Sequence, residues 1–226
     1  MNRPSWSLPA ARPGHASSPT PAVEPIWFEW LALGGLLAFA TWLLGVRGVW
    51  ALLLNADPTG ITLVIIVVFA GSTLWCGSRA RELQRQRAAI GTAGSWVTDY
   101  RRALAAAPRD AGAPLDLLLE QTHGPHGTAW WVNGIQLKLG LLGKVIGFSI
   151  LALQIGHTQN FDPSQSQELL KNLTTGLGVA LLTTMVGLVG NILLGLQLTR
   201  LDRYADQLVA EAQRLGLESR SDHAKA

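Results

Sequence analysis

The chain has 226 residues, 48% of them hydrophobic, with a mean hydropathy of +0.24. A net charge of +3 and a pI near 9.4 would suggest a nucleic-acid partner for a soluble chain. Most of the hydrophobicity lies in four blocks, roughly residues 30–54, 60–77, 137–157 and 173–198, which excludes an ordinary soluble domain. The single cysteine, Cys76, excludes a disulfide within the chain, and a free thiol in an apolar helix reads as packing.

Residues 2–25 are rich in Pro, Ser and Ala and are expected to be disordered, with His15 incidental. They do not follow the plan of a cleaved signal peptide. The first apolar block has two readings: one long tilted span ending near Leu54, or a span over 30–46 followed by a turn at Arg47 and Gly48. Trp27, Phe28, Glu29 and Trp30 at one end and Trp50 near the other suit interfacial aromatic belts.

From Arg79 to about Ala107 the pattern reads as a helix that prolongs the second span. Pro108, Gly112 and Pro114 interrupt it, and a short helix over Pro114 to Gln121 follows, with Pro114 in its first turn. His123 and His126 flank Gly124 and Pro125, which read as a turn; a metal site there lacks an evident third ligand. After the third block the polar HTQNFDPSQSQELLKN is expected to hold a short helix around Pro163, capped by Asp162 or Ser164, with Glu168 near its first turns. The tail LQLTRLDRYADQLVAEAQRL carries Leu198, Leu201, Leu208 and Leu215 broadly on one stripe. It predicts a helix packed against the one beginning at Arg79.

Arg79, Arg81, Arg85, Arg87, Arg101, Arg102, Arg109 and Lys138 lie between the second and third blocks, whereas the two short connections hold only Arg47 and Lys171. The positive-inside rule places the long loop and both termini in the cytoplasm and explains the basic pI without nucleic acid. The expected fold is all-α and polytopic, with four transmembrane helices. Its segments are a disordered 1–25, two spans in 26–78, a largely helical cytoplasmic loop at 79–136, two core spans in 137–198, and a helical tail at 199–226.

The core spans carry the candidate site. Gly140, Lys144, Gly147, Leu151 and Gln154 share one helix face, with Gly143 beside it; Gly176, Ala180, Thr184, Gly187 and Asn191 repeat the spacing in the last span. Small stripes are the usual means of close helix packing in lipid. Aligned Lys144, Gln154, Thr184 and Asn191 suggest more, a path or a docking surface, because polar groups at membrane depth are costly. Lys144 lies six residues beyond Lys138, about 9 Å of helix, so it reads as nearer the cytoplasmic side than the bilayer centre, within reach of snorkelling. No Walker A, dinucleotide, HExxH or GxSxG motif is present, and neither enzyme activity, a metal nor a cofactor is expected.

GLLGKVIGF, beginning at Gly140, and GLGVALLTTMVGL, beginning at Gly176, resemble the two signatures of the MotA/TolQ/ExbB proton-channel family. Two spans before the large loop and two after it resemble the four-span stator subunit more than the three-span TolQ and ExbB type. The resemblance implies a homopentamer in the bacterial inner membrane around two copies of a MotB/TolR/ExbD-like single-span partner, whose membrane aspartate carries the proton. The output would be rotation or force transfer driven by the proton motive force. It also implies that Thr184, with Thr183 beside it, faces that aspartate, with Gly140, Gly147, Ala180 and Gly187 along the same lumen. Lys144 stands where the family has a threonine, so a buried ion pair with an acidic residue of the partner, gating the path or fixing subunit stoichiometry, is the corresponding expectation. A non-conducting pentameric scaffold and a small secondary transporter are the other readings.

Overall fold

The computed structural model describes residues 26–57, 59–106, 112–156 and 163–225. These form six helices in the order α1 (Ile26–Val46), α2 (Val49–Ala56), α3 (Ile61–Ala88), α4 (Trp96–Ala106), α5 (Gly112–Gly156) and α6 (Pro163–Lys225). Four of them, α1, α3, α5 and α6, are long and apolar enough to cross a bilayer, the architecture of a polytopic membrane protein. Phe28, Leu36, Phe39, Trp42 and Val46 of α1 are all exposed. A surface that apolar is stable against lipid and not against water.

The first block follows the second of its two readings. α1 ends at Val46, Gly48 takes a left-handed conformation at φ 70°, and α2 restarts as a short helix. Arg47 and Gly48 donate their amides to the Leu43 and Gly45 carbonyls, so the turn satisfies groups that the broken helix would orphan. At its start α1 is held by aromatic contacts. Trp27 and Trp30 stack at 5.1 Å, the Arg81 guanidinium lies 3.7 Å from the Trp27 ring centroid, and Trp30 presses onto Gly77 of α3, where the indole leaves no room for a Cβ.

The single helix expected from Arg79 to Ala107 is two helices. Gly91 and Gly94, at φ 91° and 90°, reverse the chain between α3 and α4 in a conformation that side chains resist. Ser95 then caps α4, accepting from the Thr98 amide at 3.2 Å. α4 turns Val97, Tyr100 and Leu104 inward against Leu208 and Ala212 of α6, completing a soluble-type four-helix core with α3 and α5 at the basic end of the bundle. Leu198, Leu201 and Leu208 of the predicted tail stripe are buried in the bundle, and Leu215 packs against its edge.

The largest departure concerns α5. The short helix at 114–121 and the turn at Gly124–Pro125 are both parts of one 45-residue helix that runs through Pro125 without stopping. Its continuity has a tertiary cause. Proline at 125 has no N–H for the Gln121 carbonyl, its normal helical acceptor, and Arg79 of α3 donates a guanidinium N–H to that carbonyl and, at 3.1 Å, to the Thr122 carbonyl. α6 is likewise unbroken over 63 residues, a rod of about 95 Å that no single bilayer covers. Asp162 lies outside the described residues, as do the side chains of Ser164 and Glu168, and so does the segment 2–25.

Candidate functional site

α5 and α6 pack antiparallel along a seam of small residues. A Cβ added at Gly147 would lie 2.8 Å from the Ala180 amide nitrogen and the Gly176 carbonyl oxygen; one at Gly187 would lie 2.9 Å from the Gln136 carbonyl oxygen and the Gly140 Cα. Gly140 faces the Thr183 carbonyl, and Gly143 faces the Thr183 side chain. Gly140, Gly147, Ala180, Thr183 and Gly187 thus meet in one contact whose closeness depends on the absence of side chains.

Polar groups mark the seam at regular intervals. On α5 the residues His126, Asn133, Gly140 and Gly147 recur every seven positions, two helical turns. Each meets α6. The His126 Nδ1 lies 2.6 Å from Asp202 Oδ1, the Asn133 carbonyl accepts from Asn191 Nδ2 at 2.9 Å, and the Gly140 carbonyl is 3.3 Å from Thr184 Oγ1. Trp130 Nε1 also donates to Asp202, at 2.8 Å, and His123 Nε2 meets Asp206 at 3.0 Å. The two histidines are therefore helix-borne partners of α6 carboxylates. Gln136 is fully buried in the seam beside Gly190, and among the described residues neither of its amide atoms has a partner. Each buried polar atom left so costs about 1–3 kcal/mol.

The predicted site residues divide by orientation. Thr183 is fully buried, and its hydroxyl donates within its own helix to Val179 at 2.8 Å. Thr184 is half-buried at the edge of the seam, donating to the Ala180 carbonyl at 2.7 Å. The other edge is closed by α3, where Thr73 bonds Gln197 at 3.2 Å and Phe69 approaches Gly190. Lys144 is exposed, with its ammonium 5.9 Å from the Phe148 ring centroid and no carboxylate within ion-pairing distance among the described residues. Gln154 lies in α5, with its side chain outside the described ones.

Trp130 bonded to Asp202, Arg79 on the α5 backbone and Arg200 paired with Glu29 at 3.3 Å mark the basic boundary of the apolar bundle. Lys144 is fourteen residues beyond Trp130, about 21 Å of helix. The sequence reading assigned His126 to a turn and missed Asn133, Gln136 and Asp202; the seven-residue recurrence of His126 and Asn133 with Gly140 was the signal for the first two. Comparisons with protein-family models, with curated proteins and with solved structures each returned no match to this chain.

Proposed function

We propose that the protein is the multi-span subunit of a proton-driven membrane motor, in which five copies surround two single-span partner helices and pass the energy of proton flow to a moving partner. The observation that carries this reading is an exposed lysine in the apolar part of α5, one turn from the Gly140–Thr184 contact. A cation there is costly in lipid unless it is matched by a carboxylate or by water. A membrane aspartate on a central helix supplies that match, and Thr184 offers a hydroxyl beside it. The resemblance of the two seam motifs supports the same arrangement, with the basic end in the cytoplasm and the long α5 and α6 extensions acting as the lever that transmits force. No covalent chemistry is assigned to the chain.

Lys144 sets the mode of action. A fixed ammonium repels a hydrated proton and attracts a carboxylate, so the pair holds the path closed until the partner aspartate is protonated. A scaffold that conducts no protons is the second reading, favoured by that same cation. The test is co-purification with a single-span, aspartate-bearing partner, a count of copies by cryo-electron microscopy, and proton flux into vesicles. Five copies around two helices are expected, with Lys144→Ala weakening the partner and Lys144→Thr raising flux. Partner binding unchanged in both variants refutes the ion pair. A wild-type complex with the expected stoichiometry and no flux under any driving force selects the scaffold.

A further inference from the structure

A second feature lies apart from Lys144, on helices α1, α3 and α6. α1, α3 and α6 line a groove of about 510 Å³ at the basic end. Its walls are mainly apolar, with Leu33 and Leu36 of α1, Cys76 and Ala80 of α3, and Leu196 and Leu201 of α6, joined by the polar Gln197, whose buried Oε1 has no hydrogen-bond partner among the described residues. Two charges stand at its mouth, Glu29 and Arg200, 3.3 Å apart and each roughly half exposed. The groove runs along α1 from Glu29 to Leu36, about 10 Å of helix, and so reaches from the boundary into the hydrocarbon layer.

The walls are no more apolar than lipid tails, so entering the groove yields no hydrophobic gain over the bilayer itself. An unfilled groove forfeits van der Waals contact along its length, and the molecule always present at that depth is a phospholipid. What selects among phospholipids is the mouth. A purely anionic headgroup gains Arg200 but meets the Glu29 carboxylate; a headgroup with phosphate and ammonium satisfies both, exchanging a partly solvated side-chain pair for two charge-assisted bonds. We propose that the groove between α1, α3 and α6 is a binding site for one acyl chain of a phospholipid of the phosphatidylethanolamine class, with its phosphate on Arg200 and its primary ammonium on Glu29. The site does not depend on the motor reading, because no residue of the Gly140–Thr184 region contributes to it.

Native mass spectrometry of the full-length chain, presented in detergent with equal amounts of phosphatidylethanolamine and phosphatidylglycerol of matched chain length, tests the assignment. One phosphatidylethanolamine per chain is expected to be retained, at about tenfold preference. Glu29→Gln is expected to abolish that preference without abolishing lipid retention, and Leu33→Trp, which fills the groove, to abolish retention. If Leu33→Trp lowers helicity, Ala32→Phe on the same wall replaces it. Preference for phosphatidylglycerol overturns the headgroup assignment. Retention unchanged by either groove-filling variant, or lipid excluded because further copies of the chain occupy the groove, overturns the site.

Discussion

The Arg79 guanidinium donates to the Gln121 carbonyl, the one acceptor in α5 that Pro125 leaves without its helical donor. Forty-two residues separate the two in sequence. The bond lets a proline sit inside a 45-residue helix, and it also fixes α3 against α5 at the level where His126 meets Asp202.

Removing this donor is expected to destabilise the bundle in a way that the proline itself controls. Arg79→Ala loses charge-assisted bonds to Gln121 and Thr122 and is expected to cost about 2–3 kcal/mol. In a Pro125→Ala background the new amide at 125 serves Gln121, so the same substitution is expected to cost at least about 1 kcal/mol less. Unfolding in detergent, run as a double-mutant cycle, measures the coupling. Strictly additive effects would show that Arg79 acts through packing alone, including its contact 5.3 Å from the Trp96 ring centroid.

The seam makes an equally local prediction. Gly147→Ala places a methyl 2.8 Å from the Ala180 amide nitrogen, an atom of backbone that cannot rotate aside, so α5 and α6 must separate. A loss of about 1–3 kcal/mol is expected, the usual result of overpacking. Gly134→Ala and Gly178→Ala meet nothing within 4 Å and serve as controls expected to be neutral or slightly stabilising. Equal effects at the three positions would contradict the seam geometry.

These two cases show what the sequence disclosed. Gly140, Gly147, Ala180 and Gly187 were legible because close helix packing in lipid requires small residues at helical spacing, a rule that acts within one segment. The turn at Arg47 and Gly48 was legible as an alternative for the same reason. The continuity of α5 was not, because an interior proline ordinarily costs about 3 kcal/mol and its compensation comes from an arginine on another helix. Once Pro125 was read as a turn, the recurrence of His126 and Asn133 with Gly140 could not be seen as one face. The division of 79–107 into α3 and α4 was missed for a local reason, two glycines three residues apart in a segment otherwise rich in helix formers. Which candidate residues face outward was beyond the sequence: Thr183 and Thr184 are neighbours, yet one is sealed against Gly143 and the other lies at the seam edge.

Asp202 is the next point to test, since two donors converge on it. Asp202→Ala leaves the Trp130 indole and the 3% exposed His126 imidazole without their acceptor, and a loss of about 2–4 kcal/mol is expected. Asp202→Asn keeps one oxygen and is expected to retain part of that stability, whereas Asp206→Ala, whose carboxylate is 72% exposed, is expected to change it by less than about 1 kcal/mol. Thermal unfolding of the three variants gives the order. Asp206→Ala costing as much as Asp202→Ala would show that the histidine pairs act as one unit, and not as a buried bond beside an exposed one.

Asp57 gives the connection between α2 and α3 a dependence on pH. Burial raises its carboxyl, but hydrogen bonds from Thr59 and Thr62 outweigh burial and hold it below the ordinary carboxylate range. One of them, 2.7 Å from the Thr62 amide, satisfies a first-turn N–H of α3 that has no helical acceptor. A carboxyl depressed in the folded state stabilises it fully above the unfolded value of about 3.9, and the contribution is lost as pH falls from there through the lower folded value. Hydrogen exchange at the Thr59 and Thr62 amides is therefore expected to stay slow at pH 7 and pH 5 and to accelerate below about pH 4, beyond the intrinsic change. Asp57→Asn presents a single oxygen to donors that now use two, Thr59 on Oδ1 and Thr62 on Oδ2, and is expected to exchange faster at every pH with no inflection near pH 4. Asp57→Ala is expected to cost about 1–2 kcal/mol at neutral pH, as for loss of a helix cap. An inflection that persists in Asp57→Asn would assign the acid sensitivity to another group.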